Sequence, residues 1–496
     1  MSYTGFVCQI KNLREHPNGD KLYLGECFGN TVCVSRSGYT DGMTGVYFPT
    51  DGQLSVEFAT NNNLLRLRDE NGHSIPGGGY MDPDKRNVTA IKLRGEKSDG
   101  LFLPLSCLDY CFNSGAAANL KLGDTISVVN GHEICCKYIP YQQHRRGRYS
   151  EGNKTRKKKV DVAPLFMEHV DTEQLAYNLN AFKSGDEIEI TLKMHGTSQR
   201  TAYLPVLKDY KDSIFRRMIN KIIMGLKVRK DWGADGRNAL YNSLKHGEPV
   251  YSWGEVSGTR RVVLEDFEGG FYGSNAFREQ HSKFFEGKLW KGETVYYEVV
   301  GFTDTGTPIM SPAANSKMND KEFVKQYGET TVFSYGCSPF GIKELPMADT
   351  GLPFGAVVDC PQSDIYVYRM TMTNEDGNVV EYTSDFMRYR CEQMGVKTVP
   401  VLWKGTIPEN PASADDPTIT PGEWIKNVAE RFYDGPDPVG KTHVREGVVV
   451  RILNRPKFAA YKHKNFSFKV LEGLVKATAE APDMEEADGL EEVETN

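Results

Sequence analysis

A strand-like run, Asp186-Glu187-Ile188-Glu189-Ile190-Thr191-Leu192, ends on Lys193 and breaks at once into Met194-His195-Gly196-Thr197-Ser198. This places a lysine at a strand end, at the mouth of a tight glycine turn, rather than on a solvated helix. A lysine so held reads as a nucleophile. An amine attacks phosphorus only when unprotonated, and a free lysine, with a pKa of about 10.4, is almost fully protonated at neutral pH. Its neighbours must discharge it. Lys462-His463-Lys464 offers two ammonium groups on one face of an extended segment. Such cations would favour the neutral amine and would hold phosphate oxygens as well. Taken alone, Lys-x-His-Gly is also explained by a surface lysine beside a turn glycine.

The order of further segments weighs against that bland reading. After Lys193-Met194-His195-Gly196 come Tyr297-Glu298-Val299-Val300-Gly301, Tyr366-Val367-Tyr368-Arg369, Glu446-Gly447-Val448-Val449-Val450-Arg451 and Lys462-His463-Lys464. The series resembles motifs I, III, IIIa, IV and V of the covalent nucleotidyltransferases, which comprise ATP-dependent RNA and DNA ligases and mRNA capping enzymes. It is most similar to the ATP-dependent RNA ligases, in the branch with an N-terminal OB-like domain. That branch carries His in the nucleophile motif where most relatives carry Asp. The upstream stretch Phe166-Met167-Glu168-His169-Val170-Asp171-Thr172 also resembles it. The resemblance covers about residues 160 to 475.

The resemblance implies an α+β fold: an N-terminal OB-like β-barrel followed by a nucleotidyltransferase (ATP-grasp-like ligase) domain of antiparallel sheets and helices. It implies Lys193 as the catalytic nucleophile toward ATP, with Mg²⁺ or Mn²⁺ as the metal. His195, Gly196, Arg260, Glu298, Tyr368, Glu446, Lys462 and Lys464 would bind the nucleotide, and Glu446 would also serve the metal. What His195 bonds is left open. Tyr368 aligns best with the position that stacks on adenine, but Tyr366, two residues away on the same face of a strand, competes with it. Arg260 is preferred over Arg261 because it directly follows the Gly254–Gly258 turn region. Ser198 stands where relatives carry Asn or Ser near a 5′-phosphate. Glu446, by its position, opens a hydrophobic strand behind a glycine that permits close approach. For Glu298, a carboxylate on a half-buried strand paired with a lysine is the lesser alternative.

The totals bound the rest. A chain of 496 residues suggests two or three domains. The expected divisions are 1–135 (OB-like), 136–160 (basic linker), 161–475 (nucleotidyltransferase) and 476–496 (acidic tail). No stretch approaches 18 consecutive apolar residues, so no membrane partner is expected. Met1 to Gly5 shows neither a basic region nor a hydrophobic run, and a cytoplasmic monomer is expected. Ten cysteines without zinc-site spacing read as reduced thiols. The net charge of −6 hides a segregated distribution, because residues 480 to 496 hold eight carboxylates and no base; without them the chain stands at +2. Such a tail reads as solvating, or as a mimic of nucleic acid.

In the first 135 residues, short β-like runs punctuated by turn residues suggest a small barrel. His16-Pro17-Asn18-Gly19-Asp20-Lys21-Leu22 resembles the strand entry of OB-type tRNA-binding domains, or is simply a turn. In the linker, Arg145, Arg146, Lys157 and Lys158 are candidates for backbone phosphates, which would make binding salt-sensitive. Residues 206 to 245 do not read as a nucleotidyltransferase strand; from Ser213 to Ile223 they read as an amphipathic helix whose basic face binds phosphate or is merely solvated.

The expected activity is RNA ligation, joining 3′-hydroxyl and 5′-phosphate ends through lysyl-adenylate and an adenylylated 5′ end, at nicks in an RNA-containing duplex. The chain ends about 25 residues after Leu471, which leaves no room for the OB domain that follows motif V in DNA ligases and capping enzymes. The rival readings are a capping-type guanylyltransferase and a non-catalytic nucleic-acid-binding protein on a ligase core.

Overall fold

The structure, a computed structural model, describes residues 3–67, 69, 75, 77–112, 119–138, 162–211, 248–264, 267, 275–344, 357–411 and 418–477. Arg145, Arg146, Lys157 and Lys158 of the basic linker, the helix expected after Ser213 and the acidic tail lie outside the described residues.

The part that carries the five motifs is built on strands β1 (Glu187–Lys193), β2 (Thr197–Lys211), β3 (Glu248–Gly258), β4 (Glu293–Gly301), β5 (Ser363–Thr373), β6 (Val401–Thr406), β7 (Gly447–Ile452) and β8 (Ala460–Lys464), with helices α1 (Ser384–Met394) and α2 (Phe466–Ala477). One sheet has the order β8-β7-β1-β6, with Glu173–Gln174 added in parallel beside β8. The other has the order β3-β2-β4-β5, with three short strands paired at its edges. Consecutive strands β1 and β2 belong to different sheets. Lys193 therefore closes one sheet just before Thr197 opens the other, and the nucleophile turn lies at the seam.

Alternation on β1 and β7 is what builds this seam. Ile188, Ile190, Val448, Val450 and Ile452 point into a core with Ile425 and Val428 of the helix Pro421–Glu430, which starts on a Thr420/Glu423 capping box. Register places Glu189, Thr191 and Lys193 of β1 on the opposite face, with Val449 and Arg451 of β7 and Lys462 and Lys464 of β8. That face is not solvent. Glu189 is 2% exposed and is compensated by the Ser384 hydroxyl at 2.8 Å and Arg388 at 2.7 Å, as a buried carboxylate must be. The second sheet has its own core, where Tyr297, Val299, Val367 and Met370 pack against Met387 and Cys391 of α1.

Residues 206 to 211, expected to fall outside the strands, extend β2. A register shift between Leu207 and Asp209 in the pairing with β3 breaks the period-2 pattern there, which is why alternation does not reveal the strand.

The pairings of the N-terminal strands are antiparallel, but among the described residues the strands do not close into the one barrel expected. Leu101–Pro104, Thr44–Phe48, Gly5–Gln9 and Thr125–Ile126 form one sheet, and Lys11–Glu15, Leu22–Cys27 and Asn30–Ser35 a second. Cys135–Lys137 pairs with Gly52–Leu54. The unit docks on the rest of the chain through aromatic, apolar and charged contacts. Tyr177 stacks on Phe6 and meets Phe28 edge-on. Ala90 shares a buried cluster with Phe466, Val470 and Leu471 of α2, where Lys469 also reaches Asp99 at 2.6 Å.

Candidate active site

Two glycines let the backbones approach closely enough to form the site. A Cβ on Gly196 would lie 2.3 Å from the Val299 carbonyl oxygen and 2.9 Å from Glu298 Cγ. Gly447, at φ 151°, lies opposite both Lys193 and Lys464, and a Cβ there would lie 2.1 Å from the His463 carbonyl oxygen. No side chain fits at either place.

Glu446 is the centre of the charge arrangement. It is 1% exposed, with Lys193 Nζ at 2.6 Å and Lys464 Nζ at 3.4 Å, both on Oε1. His195 Nδ1 stands 3.6 Å from Oε2, longer than a hydrogen bond but near enough for charge to matter. Burial would raise the Glu446 carboxyl, yet Lys193, Lys464 and His195 together hold it down to about 2. Sequence reasoning surrounds Lys193 with cations alone; the structure puts an anion against it and makes Lys464 share that anion. The reason is burial, since two ammonium groups at this depth require a counter-charge.

The His195 ring, whose partner the sequence leaves open, faces Glu446, edge-on between Phe333 at 4.7 Å and Phe468 at 4.8 Å. Lys464 also donates to both oxygens of Glu472 on α2, at 3.0 and 2.9 Å. Lys462 shares the face of Lys464 on β8, as the spacing of two requires.

A second group lies on the neighbouring sheet. Register aligns Ser198, Glu298 and Tyr366 across β2, β4 and β5. A bulge leaves Tyr368 as the extra residue between Val367 and Arg369, so simple alternation does not govern it. Its hydroxyl shares a 2.8 Å hydrogen bond with Ser198. Burial and the Glu298 carboxylate push that hydroxyl's pKa up, while Ser198 and Arg260 offset them in part. Glu298 and Arg260 therefore each stand within electrostatic reach of Tyr368. Arg260 is also held by Asp171 at 3.0 Å. Tyr366, by contrast, is 6% exposed, with its hydroxyl 3.3 Å from Asp364.

Several residues of the site escape sequence reasoning. His169 lies against Tyr368 and Tyr296, at 5.3 and 5.4 Å between ring centres. Arg278, fully buried, donates to Thr197 Oγ1 at 2.7 Å and to the Ser198 carbonyl, fixing the start of β2. The Tyr335 hydroxyl accepts the His195 N–H at 2.6 Å. Only the aromatic-His-Asp-Thr leader gave any signal, and it pointed to His169.

For a metal, the informative atom is Glu446 Oε2, buried without a hydrogen bond. Among the described residues no three His, Cys, Asp or Glu side chains cluster to hold a cation. Glu446 fits a hard divalent ion that takes one protein carboxylate and completes its shell with water and phosphate oxygens, as Mg²⁺ does.

No family model and no curated protein matches the sequence. Solved structures do match the fold. An RNA ligase from Naegleria gruberi superposes with a TM-score of 0.50 at 14% identity, both as a lysine-to-methionine variant with AMP and Mn and as the protein with PPi. Each superposition covers 94% of this chain and 97% of the other. The chain has the fold of an RNA ligase. That coverage extends the likeness well beyond residues 160 to 475, into the N-terminal unit. Among the described residues no helix is long and apolar enough to cross a membrane.

Proposed function

We propose that this chain is an ATP-dependent RNA ligase that joins 3′-hydroxyl and 5′-phosphate ends through lysyl-adenylate, acting at nicks in an RNA-containing duplex. The observation that carries the reading is the Lys193–Glu446–Lys464 cluster at the seam of a ligase fold. In Naegleria gruberi RNA ligase the same fold accommodates AMP and Mn, or PPi. AMP and pyrophosphate are the two parts into which attack on the α-phosphorus divides ATP.

In this reading the Lys193 amine, freed from its ion pair and its proton, forms a bond to the α-phosphorus as the bond to the β-phosphate oxygen breaks and pyrophosphate leaves. Lys464 and Lys462, on one face of β8, neutralise phosphate charge, and Tyr368 with Glu298 receives the adenosine. Glu446 would hold the divalent ion, which supplies Lewis-acid charge neutralisation on the phosphates. AMP then passes to a 5′-phosphate, and a 3′-hydroxyl displaces it. The N-terminal unit is read as OB-like and as the duplex-contacting part; its short antiparallel strands and the basic linker after it support this.

The test is covalent labelling with α-labelled ATP and, separately, GTP, followed by sealing of matched nicked duplexes with RNA or DNA on each side of the nick. Label from ATP on the wild type, none on Lys193→Ala or Lys193→Arg, and sealing of the RNA nick are expected, because a guanidinium stays protonated and cannot replace the amine. Label from GTP alone would favour a capping-type guanylyltransferase. No label from either would leave a non-catalytic binder.

A further inference from the structure

Another side chain touches the nucleophile turn from a segment 140 residues away. Tyr335 is 3% exposed, and its hydroxyl accepts the His195 N–H at 2.6 Å. Its backbone sits at φ 48°, next to Gly336 at φ 85°, in a turn closed by the Cys337 N–H on the Ser334 carbonyl at 2.8 Å. Two successive positive φ values follow the pattern of a type I′ turn, where Asn and Gly are usual and a bulky aromatic is an outlier.

A strained conformation persists only where its surroundings over-determine it. His443, fully buried, meets the Tyr335 ring edge-on at 4.6 Å. Gly440 lays its backbone against that of Tyr335, close enough that a Cβ would lie 3.1 Å from Tyr335 Cα. The Gly440 loop is pinned by Asp437 Oδ1, which accepts the N–H groups of Val439 and Gly440 at 2.8 and 3.1 Å. His443 Nε2 and Asp437 Oδ2 are buried there without a hydrogen bond, a second cost at the same place.

We propose that Tyr335 is a positioning residue: held by the Asp437–His443 loop, its hydroxyl fixes the His195 amide and thereby sets where Lys193 presents its amine. This rests on Lys193 being the nucleophile of the reaction proposed above. The Tyr335 hydroxyl is engaged by the His195 N–H, so in this reading its loss alters the rate of attack and not the affinity for ATP.

The experiment follows protein-bound label from α-labelled ATP over a range of ATP concentrations for the wild type, Lys193→Ala and Tyr335→Phe, with thermal unfolding of each. Tyr335→Phe keeps the ring and leaves the His195 N–H without its acceptor. The expected result is adenylation slowed about tenfold to a hundredfold at saturating ATP, with half-saturation unchanged. An equal rate in Tyr335→Phe, or a loss no greater than its fall in folded fraction, overturns the positioning role alone. Absence of label on the wild type overturns the ligase reading and this role with it.

Discussion

Glu446 is where a single residue decides most. It neutralises the two lysines that the proposed chemistry needs, and it does so buried, with its carboxyl held at about 2 instead of 4.5. A carboxyl depressed on folding stabilises the folded state at pH above its ordinary value, and that contribution is lost as pH falls toward its folded value. The window here runs from about 4.5 down to about 2. Glu446→Gln leaves Lys193 and Lys464 buried without their shared counter-charge, so it should be markedly less stable at neutral pH. It should also lack this acid-sensitive contribution, on the order of 3 kcal/mol. Urea unfolding of both proteins at pH 7 and pH 3 is expected to show the gap between them narrowing on acidification, and a constant gap would contradict the assignment. Lys193, Glu446 and Lys464, which the structure brings together, were singled out in the sequence by the order of the segments that carry them. Tyr335, Arg278 and Glu472 were not, because each acts through a contact between segments that no local pattern connects.

At the level of elements, β1 and β7 could be read almost to their ends, since isoleucines alternate with polar residues on β1 and β7 carries a continuous run of three valines that reads as core. The far end of β2 and the position of Tyr368 could not, because bulges at Lys208 and Tyr368 shift the register that alternation relies on. A tight constraint between elements is Gly447, where β7 passes β8. Gly447→Ala would set a methyl 2.1 Å from the His463 carbonyl oxygen and 2.8 Å from Lys464 Cα, both backbone atoms of the facing strand. The strands must then part, which should cost roughly 1–3 kcal/mol of stability. The same movement separates Glu446 from Lys464. Thermal unfolding and adenylation are expected to fall together in this variant, and normal adenylation in it would show that the register of β7 against β8 does not matter to the site.

The whole molecule joins a unit that carries none of the proposed adenylation residues to one that carries all of them. An OB-like barrel was expected because short strands with turn signals suggest closure, but pairing between strands far apart in sequence cannot be read from local pattern, and the strands form separate small sheets. Docking of the unit was equally hidden, since it depends on Ala90 meeting α2 and on Asp99 meeting Lys469. That contact changes what a truncation should do. Removing residues 1 to 138 takes Ala90 from the cluster of Phe466, Val470 and Leu471 and leaves Lys469 without Asp99, on the helix whose Glu472 holds Lys464. The shortened protein should therefore unfold at a lower temperature, while the fraction that remains folded forms lysyl-adenylate at close to the full-length rate. Sealing of a nicked duplex should fall further than adenylation does. If the lost contacts are to phosphates, the full-length protein's sealing rate at low duplex concentration should decline steeply between 50 and 200 mM salt, and the truncated protein's more shallowly, because fewer counterions are released. Equal losses of adenylation and sealing per folded molecule would instead mean that α2 needs the N-terminal unit to hold Lys464 in place.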